Sequence, residues 1–304
     1  MADASNRLLF ILNPHAGRYK TKFELYELIE QLCRDFDPTI HMTIGPGDAA
    51  DTAWRLGSQF DLVAACGGDG TLSEVINGVM RLPAQDRPRV GYVPAGTTND
   101  FAASLNLPRE MKKAAHVLAG GKTMRYDIGR LNETHYFSYV ASFGAFSSTA
   151  YATAQTLKNA LGHLGYLLEG IRSIGEIRPI AMTVRGEELL LQDAFIFGAV
   201  MNSRQVAGLV QISADQVRCD DGLHEVMLIR SPKNLQELSG ILTGLATQNY
   251  AHDCIRFFHT PHIVFESEAP VAWGTDGEYA LTDTQVRFCN CRGAVELIAA
   301  EDAQ

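Results

Sequence analysis

Short apolar runs alternate with helical patterns through residues 1–128, and three of those runs end in glycine-rich turns. Arg7–Leu12 reads as a strand and Phe23–Arg34 as a helix. Thr39–Thr43 and Asp48–Leu56 repeat the pair, as do Asp61–Cys66 and Leu72–Met80. Arg89–Val93 is a further strand, with more helix from Asp100 and again over Glu110–Leu118. Strands alternating with helices imply a parallel, doubly wound α/β sheet with helices on both faces. In such sheets ligands bind beyond the carboxyl ends of the strands. The turns Asn13-Pro14-His15-Ala16-Gly17, Gly67-Gly68-Asp69-Gly70-Thr71 and Gly96-Thr97-Thr98-Asn99-Asp100 all fall there.

The texture changes after about Met124. Tyr126–Arg130, Tyr136–Ser142, Ile180–Arg185, Glu188–Met201, Gly222–Ile229, His262–Glu266, Val271–Trp273 and Gln285–Cys291 read as strands, rich in aromatic and β-branched residues. Between them, Ala145–Ile174 has a helical pattern broken by Gly162, Gly165 and Gly170. Many strands with few helices suggest a mainly antiparallel, β-sandwich-like second domain over residues 129–292. Residues 293–304 are then available to rejoin the first domain. No repeat of fixed period and no low-complexity tract is visible.

At 304 residues, with 46% hydrophobic and 20% charged content, the chain suits a globular enzyme with a sizeable core. Leu8–Leu12 is too short for a membrane span or a signal-peptide core, so a cytoplasmic protein is expected. The six cysteines lack the spacing of a zinc site; Cys289 and Cys291 share one face of a strand, and reduced thiols are expected. The net charge of −9 argues against nucleic acid as a partner and against a polybasic membrane anchor. Arg109, Lys112, Lys113, Lys122, Arg125 and Arg130 nonetheless make a local basic run. Such a run is either a patch for anionic lipid or a solvated helix face.

Glycine lets backbone N–H groups approach a phosphate without a Cβ in the way, and a helix N-terminus favours negative charge. Thr71 and Thr97 can add hydroxyl donors. Neither a Walker A loop nor a dinucleotide fingerprint is present. Three turns at one sheet edge still say more than one would. Carboxylates inside or near them, Asp69, Asp100 and Asp127, would repel bound phosphates unless a divalent cation intervened, and Mg²⁺ fills that role. Asp100 reads equally well as a helix N-cap. Far along the chain, Gly274-Thr275-Asp276-Gly277-Glu278 closes a strand. It is either a plain acidic turn or a general base with a metal ligand, as phosphoryl transfer to a hydroxyl needs.

Taken in order, these pieces resemble the soluble bacterial diacylglycerol kinases and related lipid kinases, which share a catalytic domain with sphingosine and ceramide kinases. More distantly the chain is similar to NAD kinases and phosphofructokinases, which use a comparable GGDGT loop. The resemblance rests on Asn13-Pro14, on Thr43 with Gly45-Pro46-Gly47-Asp48, and on Gly67–Thr71 with Glu74 behind it. It continues through Gly96–Phe101, Asp127, Asp220-Asp221-Gly222-Leu223 and Asp276-Gly277-Glu278. It implies ATP on Asn13, Pro14, His15, Ala16, Gly17, Thr43, Gly67, Gly68, Asp69, Gly70, Thr71, Leu72, Ser73 and Thr97. It implies Glu278 as proton acceptor from a lipid hydroxyl, Asp276 sharing that role or binding metal, and Asp69, Asp100 and Asp127 in a Mg²⁺- and water-linked network across the domain cleft. A second, structural Mg²⁺ would sit on the Asp221 carboxylate with carbonyls of Arg218 and Leu223. The implied acceptor is diacylglycerol or a related lipid alcohol, met at the inner face of the membrane, and a homodimer stays open. The family often has a longer C-terminal return to the first domain. Here that return must be brief, and Ala145–Ile174 would cover the acceptor. Two other readings remain: a kinase of NAD or another soluble metabolite, and a non-catalytic nucleotide or lipid sensor.

Overall fold

Five of the six residues of β1 (Arg7–Leu12) are buried, as a strand covered on both faces of its sheet requires. The computed structural model describes residues 6–17, 22–96, 99, 101–102, 105–144, 178–203, 205–206, 210–212 and 217–300. Ala145–Ile174, Thr97 and Asp100 lie outside these described residues. The chain divides into two units, Met1–Ile128 with Arg292–Gln304, and Gly129–Cys291.

In the first unit β1 is flanked by β2 (Asp37–Met42) and β3 (Leu62–Gly67), and β4 (Arg89–Pro94) lies beyond β3. All three pairings are parallel. The crossovers carry α1 (Lys22–Asp35), α2 (Asp48–Leu56) and α3 (Asp69–Met80); α4 (Met111–Gly120) follows β4. Side chains alternate along a strand. Leu8, Phe10, Leu62 and Ala64 therefore share one face, packed with Leu28 and Leu32 of α1 and Ala114 and Leu118 of α4. Leu9, Ile11, Val63 and Ala65 point to the opposite face and are also fully buried. There α2 and α3 touch so closely that a Cβ on Gly78 would overlap the Ala50 carbonyl oxygen. β2 is the edge strand of this series, and it exposes Ile40 and Met42.

The C-terminal residues complete this sheet. Leu297 pairs in parallel with Val90 of β4, and Ile298 enters the core with α1 and α4. Arg87 Nη1 donates to the Ala294 carbonyl at 2.9 Å, and the Ala300 N–H to the Leu105 carbonyl at 3.2 Å. On α4, Lys112 and Lys113 form ion pairs with Glu27 and Glu110, so both basic residues that this helix contributes to the run have acidic partners.

The chain enters the second unit along β5 (Lys122–Leu131) and continues as β6 (His135–Phe137), β7 (Val140–Gly144), β8 (Ile180–Arg185) and β9 (Leu190–Met201). A two-residue ladder joins β10 (Gln205–Val206) to β11 (Val210–Gln211). Then come β12 (His224–Arg230), α5 (Leu235–Thr247), β13 (Ile255–Thr260), β14 (His262–Thr275) and β15 (Glu278–Ala299), whose end is the return strand above. Pairing within the unit is antiparallel, and both β7 and β8 bond to β9 and to β14. Apart from the separate β10–β11 ladder, the strands thus belong to one continuous network. Trp273 sits at its centre, with ring centroids of Phe143, Phe288 and Phe265 at 4.8, 4.9 and 5.0 Å.

Several elements differ from the sequence reading. Tyr136–Ser142 breaks into β6 and β7, while His262–Glu266 and Val271–Trp273 join as β14 through a register shift between Glu266 and Val271. Both α5 and β13 are additions. The six cysteines are free. Among the described residues, no helix is long and apolar enough to cross a membrane.

Candidate active site

At the carboxyl edge of the parallel sheet the hydrogen-bond ladder runs on into the turns. The Thr43 N–H donates to the Leu12 carbonyl and the Asn13 N–H to the Cys66 carbonyl, each at 2.9 Å. The Ala95 and Gly96 N–H groups both donate to the Gly67 carbonyl, at 2.7 and 3.0 Å. These bonds gather the ends of four strands. Asn13 then closes its own turn, because its Oδ1 accepts from the His15 N–H at 2.9 Å while its Nδ2 donates to Thr71 Oγ1 at 3.1 Å.

The glycines here are required by space. A Cβ on Gly67 would overlap the Thr71 side chain. One on Gly96 would lie 2.5 Å from the Gly68 Cα and 2.7 Å from Asn99 Oδ1. The two turns therefore approach backbone to backbone. Helix α3 starts at Asp69, directly after Gly68, with no side-chain cap at Gly68. The first N–H groups of a helix have no intrahelical acceptor and carry its positive end, so this terminus suits an anion. Leu72 is buried in the core and serves packing.

Asp69 is tied into the same edge. Its Oδ1 accepts the Phe101 N–H at 3.2 Å, bridging the β3 turn to the β4 turn. Glu74, one turn further along α3, accepts the Gly47 N–H at 2.8 Å and the Ala49 N–H at 3.2 Å. It thereby caps α2, which has no side-chain cap of its own. Asp48 Oδ2 accepts from the Ile44 N–H at 3.0 Å and lies 2.9 Å from His41 Nε2. That contact with His41 holds the Asp48 carboxyl below the ordinary carboxylate range. Asp127 is fully buried on β5, and its Oδ1 accepts the Gly293 N–H at 2.6 Å, at the start of the return strand.

In the second unit, Asp276 and Gly277 form the turn between β14 and β15, with φ of +50° and +89°. Two left-handed residues in a two-residue loop are the primed turn that matches strand twist, and Asp-Gly is a strong sequence signal for it. Asp276 is buried. Its Oδ2 accepts the Ser138 N–H at 2.7 Å, and its Oδ1 the Tyr139 and Val140 N–H groups at 3.0 and 3.2 Å. This carboxylate thus clasps the β6–β7 connection. Glu278, by contrast, is exposed at the first position of β15, opposite Thr275. Thr275 Oγ1 lies 2.9 Å from His135 Nε2, a ring whose burial lowers its pKa.

The loop before β12 turns at Gly222, where φ is +85°. Asp221 Oδ1 accepts the Leu223 N–H at 2.9 Å, the Leu223 carbonyl accepts from Asn290 Nδ2 at 3.0 Å, and Arg218 Nε lies 3.6 Å from Asp220 Oδ1. Among the described residues, no group of three or more His, Cys, Asp or Glu side chains is placed to hold a metal. The loop thus carries two carboxylates, Asp220 beside the Arg218 guanidinium and Asp221 on the Leu223 N–H. Next to it, burial lowers the pKa of His224 to about 4; its Nδ1 lies 2.7 Å from Asn202 Oδ1.

Comparison with known proteins places the chain in one family. Residues 7–131 match the diacylglycerol kinase catalytic domain. A diacylglycerol kinase of Bacillus subtilis strain 168 is 31% identical over 277 residues, covering 90% of each chain. One from Staphylococcus epidermidis strain RP62A is 29% identical over 299 residues, 97% of this chain and 93% of that one. The crystal structure of a diacylglycerol kinase from Bacillus anthracis strain Sterne shares the fold, with a TM-score of 0.76 at 21% identity over 99% of this chain and 100% of that one. A second crystal structure from the same organism gives 0.82 at 24% identity, again over 99% and 100%. The chain belongs to the diacylglycerol kinase family.

Proposed function

We propose that this protein is an ATP-dependent lipid kinase that transfers the γ-phosphoryl group of Mg·ATP to a lipid hydroxyl, with diacylglycerol as acceptor and phosphatidic acid as product. The observation that carries the proposal is the convergence of Asn13, Thr71, Gly68 and Gly96 on one sheet edge, at an uncapped helix start. Backbone donors of α3, with the Asn13 and Thr71 side chains, would hold the phosphates; Thr43 and the turn from Pro14 to Gly17 would border the nucleotide, and Thr97 would add a hydroxyl. The first unit would follow the NAD-kinase and phosphofructokinase plan, with residues 1–128 and 293–304 as its nucleotide-binding domain and residues 129–292 as the lipid domain.

Mg²⁺ bound with the nucleotide would neutralise phosphate charge. Asp69, Asp100 and Asp127 would orient its waters, and both Asp69 and Asp127 are themselves aimed by a backbone N–H. Glu278 takes the proton of the acceptor hydroxyl as that oxygen bonds to the γ-phosphorus. The bond to the β–γ bridging oxygen breaks, and ADP leaves with its electron pair. Asp276, held by three N–H donors, sets the turn that presents Glu278. A structural Mg²⁺ on Asp221 with the Arg218 and Leu223 carbonyls would stiffen the loop before β12. The acceptor would be met at the inner face of the membrane, with the protein peripherally bound.

Labelled ATP offered with diacylglycerol in mixed micelles, with other lipid alcohols and with NAD tests the reading. Label in phosphatidic acid supports it. Label in NADP with none in any lipid would replace it with the soluble-metabolite kinase, and tight ATP binding without turnover would favour the sensor.

A further inference from the structure

After Arg89, β4 is apolar but for one tyrosine, whose hydroxyl is the one polar side-chain group of Val90–Pro94. Tyr92 is 1% exposed. Its oxygen lies 3.1 Å from Asn99 Oδ1, 3.3 Å from the Gly67 carbonyl and 3.4 Å from Asp69 Oδ1. Two of these acceptors belong to the β3 turn and one to the β4 turn. Asn99 in turn stands in the left-handed region at φ +52° and donates through Nδ2 to the Gly96 carbonyl at 2.8 Å. A phenol carries one proton, which three converging acceptors can only share. The hydroxyl is thus a common donor for both turns, placed where their backbones meet.

We propose that Tyr92 is the positioning residue that keeps the β3 and β4 turns in register, so that both present their donors to the same phosphate chain; the phosphate part of this role rests on the nucleotide-binding reading above. Phosphate binding by backbone donors depends on preorganisation, since a donor displaced from its acceptor loses strength steeply with geometry. Main-chain bonds already join Ala95 and Gly96 to Gly67. They fix the base of the turns, whereas Tyr92 reaches Asp69 and Asn99 further along each one. An ordinary buried tyrosine would contribute to stability throughout the unit. A positioning tyrosine acts on the two turns and on the nucleotide alone.

Tyr92→Phe keeps the ring and removes the oxygen, so the packing of β4 survives. The KM for ATP should rise about tenfold, the weight of one hydrogen bond in a preorganised site. Both kcat and the KM for the lipid should stay within about twofold. Without nucleotide, amide exchange in peptides covering 67–71 and 93–99 should quicken about tenfold, while peptides from β2 hold their rate. Unchanged exchange in those turns overturns the register role, as does an equal quickening across the whole first unit. A wild-type protein whose turns gain no protection from added ATP overturns the nucleotide-binding reading and the phosphate part of the proposal with it. The exchange of Tyr92→Phe still decides, by itself, whether the residue holds the turns.

Discussion

The turn after β3 and the turn between β14 and β15 both centre on glycine, but physical chemistry demands it for opposite reasons. Gly68 has φ of −89°, a value any residue adopts, and the crowding lies on either side of it: a Cβ on Gly67 would overlap the Thr71 side chain, and one on Gly96 would lie 2.5 Å from the Gly68 Cα. Gly277 has φ of +89°, and a Cβ there would meet nothing closer than the Tyr139 hydroxyl at 3.7 Å. The first turn is limited by volume and the second by chirality. The first brings main-chain donors together. The second holds one carboxylate in a backbone clasp so that its neighbour stands out in the open. Chemistry from backbone and chemistry from side chain should then answer differently to substitution.

The largest effect is expected at the exposed carboxylate. Glu278→Ala should lower kcat by about 10²–10⁴, the usual contribution of a general base, with ATP binding unchanged by calorimetry. Undiminished labelling of diacylglycerol would remove Glu278 from the mechanism. Next comes Gly96→Ala, which forces the two turns apart. Overpacking of about 1–3 kcal/mol corresponds to a loss of roughly 5- to 150-fold in ATP affinity, and kcat at saturating ATP should change less. If ATP affinity holds, the close approach is incidental to binding.

Asp276→Asn keeps the shape but leaves a buried amide nitrogen facing N–H donors. It should cost about 2 kcal/mol in urea denaturation and also reduce kcat, because the turn beneath Glu278 loosens. Equal stability would mean that the clasp carries little weight. The smallest effect belongs to Asp48, away from both turns. Its carboxyl is held low by His41, so its stabilisation is present above the unfolded pKa near 3.8 and is lost as the pH falls through the folded value. Asp48→Asn should therefore cost about 0.5 kcal/mol at neutral pH, a gap that closes in acid denaturation series below roughly pH 4.

Much of the first unit was legible because β1, β3 and most of β4 are buried and read as apolar runs. The span of α2 read from sequence is the one observed, Asp48–Leu56. What escaped depends on partners distant in the chain. Tyr136–Ser142 reads as one strand, but Asp276, far along the sequence, takes the N–H groups of Ser138, Tyr139 and Val140 and breaks it. Pro270, which lacks a donor, falls within the register shift of β14 and made one long strand look like two. A local signal for α5 is also present in the sequence. Asn234 followed by Glu237 is a helix-start pattern, and the Asn234 side chain does accept the Glu237 N–H at 2.9 Å at the head of α5. At the candidate site, the glycine turns and acidic residues could be named from sequence. The commitment of Asp276 to the backbone, the capping of α2 by Glu74 and the reach of Tyr92 could not, since each is a contact between elements.

The pairing of Leu297 with Val90 sets an order on biosynthesis. A chain made from its amino end has β1 to β4 in hand long before the strand that lies against β4 emerges from the ribosome. At ordinary rates of synthesis the whole second unit intervenes, a delay of roughly 10–40 s. Through that interval β4 presents unpaired backbone groups to the crowded cell, the condition that invites wrong partners. The part of the molecule made first is thus finished last, and a nascent chain stalled before Arg292 would leave the ribosome with its first sheet still open.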